Sequence, residues 1–338
     1  MNRRFLLSGL AMAAAMPRLG RADAERDAWP IWRERFVAPD GRVVDTGQHG
    51  ISHSEGQGYG LILAQAFGDR ETFDRIESWT RAHIANRQDA LMSWKWDPAQ
   101  AENIPDWHNA TDGDLFRAWA HLRASLDSGW STDPSVAAEI ARDIVRLCLA
   151  PDPRVPGQPL LMPGAEAVHQ PGRVLVNPSY YLLRAMRQLG AAYEAPELGH
   201  AADHGEALLS ELAGTGFVPD WVAVTAEGFD KPEDHDFRSS YDALRIPLYL
   251  VWSGRGDHPA VGTILRMLMT ATLPGHFAVS TDAEGQVLGQ SNEAGFHAIA
   301  ALAAGVVPQL SADSIATQPY YPATLQMLAY VAAREGRA

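Results

Sequence analysis

Hydrophobic and polar positions along the chain fall into a recurring pair of helical patterns. Residues 59–67 and 115–126 are apolar nearly all round, as helices buried on every side must be. Each is followed by an amphipathic stretch. Residues 71–87 carry Phe73, Ile76, Trp79 and Ile84 near helical spacing, and residues 136–149 repeat the pattern. The alternation returns in 178–189 with 197–212, then in 241–252 with 259–272, and 295–306 and 323–334 complete it. With a short helix at 29–36 the chain is expected to hold about eleven helices. Strand patterns are few: residues 42–46, and a hairpin of 276–280 with 286–289 around Ala283-Glu284-Gly285. No β-then-α unit repeats, which disfavours a TIM barrel or a Rossmann fold. Alternating buried and half-wet helices imply an inner and an outer ring, so the expected fold is an all-α (α/α) toroid with a few short strands in its loops. An α-solenoid would show a fixed period, and none is visible.

The first residues do not belong to this pattern. Arg3-Arg4, an apolar run over residues 5–16 and Ala22-Asp23-Ala24 have the charged, apolar and small-residue parts of a secretory signal. About twelve apolar residues are too few to span a bilayer, which takes about 20. The arginine pair resembles a twin-arginine signal without its spacer residue, so general secretion is the expected route. Cleavage is expected after Ala24, leaving residues 25–338 as one catalytic domain outside the cytoplasm with no membrane span. That removal takes the formal charge from −13 to −16. A chain this acidic, with no basic stripe, is a poor nucleic-acid binder, because phosphate binding rests on Lys and Arg. The single cysteine, Cys148, excludes an internal disulfide and a Cys-rich zinc site. The twelve histidines show no HExxH spacing, so neither metal nor cofactor is expected.

The starts of the buried-type helices carry the candidate chemistry. Ser54-Glu55-Gly56-Gln57-Gly58-Tyr59-Gly60 precedes the first and Ala110-Thr111-Asp112-Gly113-Asp114 the second. Asn177-Pro178-Ser179-Tyr180-Tyr181 precedes the third and Ser240-Tyr241-Asp242-Ala243-Leu244-Arg245 the fourth. Parallel inner helices bring such starts to one end of a toroid. Asp and Asn at helix starts are also ordinary caps favoured by the helix dipole, which explains Asp112 equally well and Asp114 better. Asp242 and Arg245 have the spacing of a simple ion pair on one helical turn. Glu55 is harder to dismiss, since three glycines around it are costly in a helix unless something approaches the backbone.

Trp94, Trp96, Trp107 and Trp221 sit in non-helical stretches, where flat rings suit the apolar faces of sugars and where core packing explains any one of them at least as well, while Trp79, Trp119 and Trp252 lie in helical patterns and belong to the core. Paired carboxylates in a sugar-shaped cleft are the machinery of glycoside hydrolysis. The acid of the pair must keep its proton, whereas a helix N-terminus favours ionised Glu55. Asp112 or an apolar cleft wall is expected to outweigh the dipole.

Ser54-Glu55-Gly56, Tyr59-Gly60, Ala110-Thr111-Asp112-Gly113-Asp114 and Ser240-Tyr241-Asp242-Ala243 with Arg245 resemble, in order, the landmarks of the family-eight glycoside hydrolases. Met92-Ser93-Trp94, Asn177-Pro178-Ser179-Tyr180 and Phe217-Val218-Pro219-Asp220-Trp221-Val222 strengthen the likeness to the periplasmic members that accompany bacterial cellulose synthases. The likeness runs from about residue 27 to about 332. It implies an (α/α)6 barrel that hydrolyses internal β-1,4 bonds of a cellulose-type glucan with inversion. It implies Glu55 as general acid, Asp242 as general base, and Asp112 as the acid that orients the sugar. It further implies Trp94 as a stacking residue, Tyr241 and Arg245 as positioning neighbours, and Tyr180 or Tyr181 on the same sugar. Trp96 and Trp221 are added as substrate-binding candidates from their loop positions. Asn292-Glu293-Ala294-Gly295-Phe296 matches no landmark. A β-1,4-glucan strand is the expected partner, with cellulose synthase subunits a second one. The alternatives are a chitosanase or xylanase of the same family, or a non-catalytic component that guides nascent glucan.

Overall fold

The computed structural model describes residues 19–336 apart from 168, 169 and 171. The expected leader lies largely outside the described residues, and the first described helix, α1 (Leu19–Phe36), runs through Ala24.

Six helices form the inner ring: α2 (Ser54–Ala66), α4 (Thr111–Leu126), α6 (Leu183–Ala192), α8 (Ile246–Trp252), α10 (Ala294–Ala303) and α12 (Tyr320–Glu335). Each touches the next, and α12 returns to α2, so the ring closes. The all-round apolar pattern explains their place, since α2, α4 and α12 are buried over nearly their whole length. The partners α3 (Arg70–His83), α5 (Pro134–Leu147), α7 (Pro196–Gly214), α9 (Pro259–Leu268) and α11 (Ala312–Thr317) lie outside with α1. The fold is an (α/α)6 barrel. Trp79, Trp119 and Trp252 are buried in it.

Two glycines let α2 and α4 pack closely. A Cβ on Gly58 would stand 2.5 Å from the Phe116 Cβ, and one on Gly113 would stand 2.7 Å from the Ser54 backbone. What approaches Gly58 is therefore α4, while Gly56 faces Tyr320 and Gly60 faces Val43 and Ile76, and the α4 contact brings Glu55 beside Asp112.

The departures from expectation have local causes. The pattern at 178–189 splits into a 3-10 turn, Pro178–Tyr180, and α6. Between them Tyr181 swings onto Gly205 of α7, where no side chain would fit. The pattern at 241–252 likewise begins as a 3-10 turn, Ala243–Arg245, and Pro247, which lacks an N–H, sits in the first turn of α8. Residues 42–46 form no strand; Val43 and Asp45 make single bridges to Val37 and Ile51. Helix α11 escaped the periodicity because its six residues bury only Ile315.

Short strands finish the rim. β1 (Ser52–His53) pairs with β2 (Lys95–Trp96), β3 (Leu149–Pro151) with β4 (Pro159–Leu161), and β5 (Arg173–Val176) with β6 (Val222–Thr225), which also pairs with β7 (Gly228–Asp230). β8 (Arg238–Ser239) joins the hairpin of β9 (Phe277–Asp282) and β10 (Val287–Ser291), longer than its sequence pattern suggested. β1 and β2 matter most, because Ser54 N–H then donates to the Trp94 carbonyl at 2.9 Å and fastens Trp94 beside Glu55.

Candidate active site

All six inner helices present their N-terminal ends to one cavity of about 820 Å³. Glu55, Asp112, Asp242 and Glu293 line it, with Tyr180 and Tyr321 from the starts of the third and sixth. A second hollow of about 520 Å³, bearing Trp221 and His235, shares Trp94, Ala110 and Tyr180 with the first. The two are arms of one groove that meet at these three residues.

Arg245 is the hub of the acidic arm. Its side chain is 1% exposed. Nη1 donates to Glu55 and lies 3.3 Å from Asp112 Oδ2, while Nη2 donates to Asp242 at 2.5 Å and to Ser179 at 2.9 Å. One guanidinium thus holds three carboxylates, a fork that a lysine cannot reproduce. Tyr59, hydrogen-bonded to Tyr249 at 2.5 Å, forms the floor beneath Nη1. The Asp242–Arg245 ion pair expected from their spacing is present, but it is one arm of a larger network.

Each acid has its own support. His53 caps α2: its Nδ1 accepts from Gly56 N–H at 2.9 Å, so the proton sits on Nε2, 3.3 Å from Asp45. This fixes the turn that carries Glu55. Asp112 is 1% exposed and accepts from Gly113 N–H at 2.8 Å. Burial pushes its carboxyl up to about 7. Asn177 donates to Asp242 at 3.1 Å. Burial, and then the charges of Asp220 and Asp112, push Asp242 up to about 8. Asp220 is itself raised by burial to about 6, and its Oδ1 accepts from Ser240 N–H and Ala243 N–H at 2.7 and 2.9 Å. Three carboxylates share one arginine here and Asp220 stands behind Asp242, so the buried acids of this cluster tend to keep their protons. Asp114 is structural: it accepts from Met92 N–H at 2.8 Å and from Asn109 at 2.9 Å.

Most of the expected site residues meet in the groove: Glu55, Asp112, Asp242, Arg245, Trp94, Tyr180 and Tyr241 in the acidic arm, and Trp221 in the other. Two do not. Tyr181 is buried away from it, its hydroxyl accepting from Leu161 N–H at 3.0 Å. Trp96 packs edge-on against Trp79, under the Arg42 guanidinium, in a satellite apolar cluster. Sequence reasoning missed Glu293, Phe296 and Tyr321. The start of α10 carries Glu293 and Gly295 but matched no landmark, that of α12 carries no acidic or glycine-rich signature, and only the sixfold arrangement places them at the rim.

A family model for glycosyl hydrolases of family 8 matches residues 4–335. The chain belongs to this family. It is 34% identical over 233 residues to an endoglucanase of Cellulomonas uda, a match spanning 67% of this chain and 63% of that protein. It is 32% identical over 331 residues to a probable endoglucanase of Novacetimonas hansenii, spanning 93% and 92%. Among solved structures it is similar to a family 8 endoglucanase of Klebsiella pneumoniae, with a TM-score of 0.82 and 27% identity over 92% of this chain and 99% of that one. The endo-β-1,4-glucanase of Acetobacter xylinum gives 0.76 and 29%, over 94% and 99%. The acidic hub therefore belongs to a glycoside hydrolase.

Proposed function

We propose that this glycoside hydrolase is an endo-β-1,4-glucanase that cuts inside a single cellulose-type strand with inversion. The observation that carries the reading is three carboxylates on one buried guanidinium, at the meeting point of two open arms that also bears Trp94 and Tyr180. An open groove admits a polymer along its length, as internal cleavage requires.

Glu55 protonates the leaving oxygen and Asp242 activates the water, with Asp112 orienting the sugar between them. The Arg245 guanidinium lies between Glu55 and Asp242, so each acid meets the arginine, and an inverting pair stands about 6.5–9.5 Å apart with a water between its acids. Beside Asp112, Glu55 also meets Arg245, which donates to it. High-affinity binding of a nascent strand without cleavage would need aromatic rings but no such acid pair.

The test is release of reducing ends from carboxymethylcellulose, with chitosan and xylan as parallel substrates. E55Q and D242N are expected to lose about two to four orders of magnitude in kcat, the typical weight of a positioned acid or base. Equal release by wild type and E55Q would end the assignment of Glu55. The first-formed anomer, followed by NMR, reads the stereochemistry.

The proposal includes export with removal of residues 1–24, residues 25–338 acting as one catalytic domain in the periplasm or outside the cell, and work beside a cellulose synthase. Its support is the leader pattern and the absence, among the described residues, of a helix long and apolar enough to cross a membrane.

A further inference from the structure

Trp107 is 58% exposed, whereas the rings of Trp79, Trp119 and Trp252 are buried. Single exposed apolar side chains are common and need no explanation. This one is held in place. Its carbonyl accepts from Arg87 Nη1 at 2.8 Å, and the Arg87 guanidinium lies over the indole, 5.1 Å from the ring centroid. Arg87 is in turn 5% exposed, paired at two points with Asp89 at 2.8 Å and with Glu166 at 2.6 Å. The neighbours of Trp107 in the chain are fastened as well. The Asp106 carboxylate accepts from the Trp94 indole at 2.7 Å, and the His108 carbonyl accepts from Trp94 N–H at 2.7 Å. Trp94, Asp106, His108 and Glu166 all line the outer arm of the groove, and the Trp107 ring stands edge-on to His108, 5.0 Å away.

A buried arginine paired with two acids, and three further hydrogen bonds, thus fix a largely solvated indole at the mouth of a sugar groove. Holding a ring in water leaves apolar surface unburied unless a partner covers it. We propose that Trp107 is an outer platform for the apolar face of a pyranose, one contact beyond the arm that begins at Trp94. The same β-glucan strand would rest on Trp94 inside and on Trp107 at the mouth. This rests on the glucanase reading and extends it to strand length: the enzyme grips long chains better than short ones.

The experiment compares wild type, W107A and W107F on a long substrate, carboxymethylcellulose, and on a short one, cellotetraose. The quantity read is the ratio of the two KM values. W107A is expected to shift that ratio roughly three- to tenfold against the long substrate, the range of one ring contact, and W107F to recover most of it. A ratio equal to that of wild type overturns the platform, as does an equal loss on both substrates. Retardation in native gels cast with hydroxyethylcellulose gives a readout free of turnover. Less retarded W107A supports the platform even if no glucan is cut, in which case only the activity reading fails. Unchanged mobility overturns the platform even if the enzyme is active.

Discussion

Arg245 concentrates the chemistry of the site in one side chain. Its two terminal nitrogens are divided among Glu55, Asp112 and Asp242, so none of the three acids can change charge without altering the bonds of the others. Asp220, behind Asp242, adds a tunable influence, because its charge raises the Asp242 carboxyl. In D220N the retained oxygen still accepts from Ser240 and Ala243, while the charge is gone. Asp242 should then ionise at lower pH. The acidic limb of kcat/KM is expected to move to lower pH, and a pH–rate profile of D220N against wild type checks this; a limb moving upward would contradict it. The residue types of this cluster were legible in the sequence because Glu55, Asp112 and Asp242 stand at helix starts in motifs. Arg245 read as a partner of Asp242 and, through the family likeness, as a positioning neighbour, because the hub role needs contacts 133 and 190 residues away in the chain. Tyr180 and Tyr181 were indistinguishable for a similar reason. The turn that sends Tyr181 onto Gly205 depends on α7, which local pattern does not contain.

Among elements, the contact of α2 with α4 has the most direct bearing on catalysis. It exists because Gly58 and Gly113 lack a Cβ at the crossing. G113A would force Ser54, and with it the turn bearing Glu55, away from Asp112. The variant is expected to lose about 1–3 kcal/mol of stability, the usual cost of overpacking, and to lose turnover beyond what that loss explains. Urea midpoints and kcat at a temperature where both proteins are folded separate the two effects. Unchanged kcat would mean that the spacing of these helices is not what sets the site. The helices themselves were readable from apolar periodicity, since ten of the expected patterns coincide with helices α2 to α10 and α12, within several residues at their ends. The small sheets were not. β5, β6 and β7 are three or four residues long, and they form from tertiary pairing rather than from a run of alternating residues.

For the molecule as a whole, buried carboxyls set the pH response. Burial raises Asp112 to about 7, Asp114 and Asp242 to about 8, and Asp220 to about 6, all above the ordinary aspartate value of 3.8. Between these limits the folded chain binds protons that the unfolded chain has released, so stability falls as pH rises through the window. Glu77 and Asp152, both lowered to about 2 despite burial, act the other way. Hydrogen bonds and charge from His121 and Arg117 hold Glu77 down, and those from Arg154 and His204 hold Asp152 down, so their contribution disappears only as the solution becomes strongly acidic. The urea midpoint is expected to be higher at pH 5 than at pH 8, and the reverse order would show that these carboxyls are ionised in the native state across the range.

The return of α12 to α2 has a mechanical side. A circle of staves resists being spread at any one stave, because both neighbours push back and the hoop has no loose edge. Circumference therefore supplies stiffness from the ring itself, and the groove can stand open while its acids keep their places.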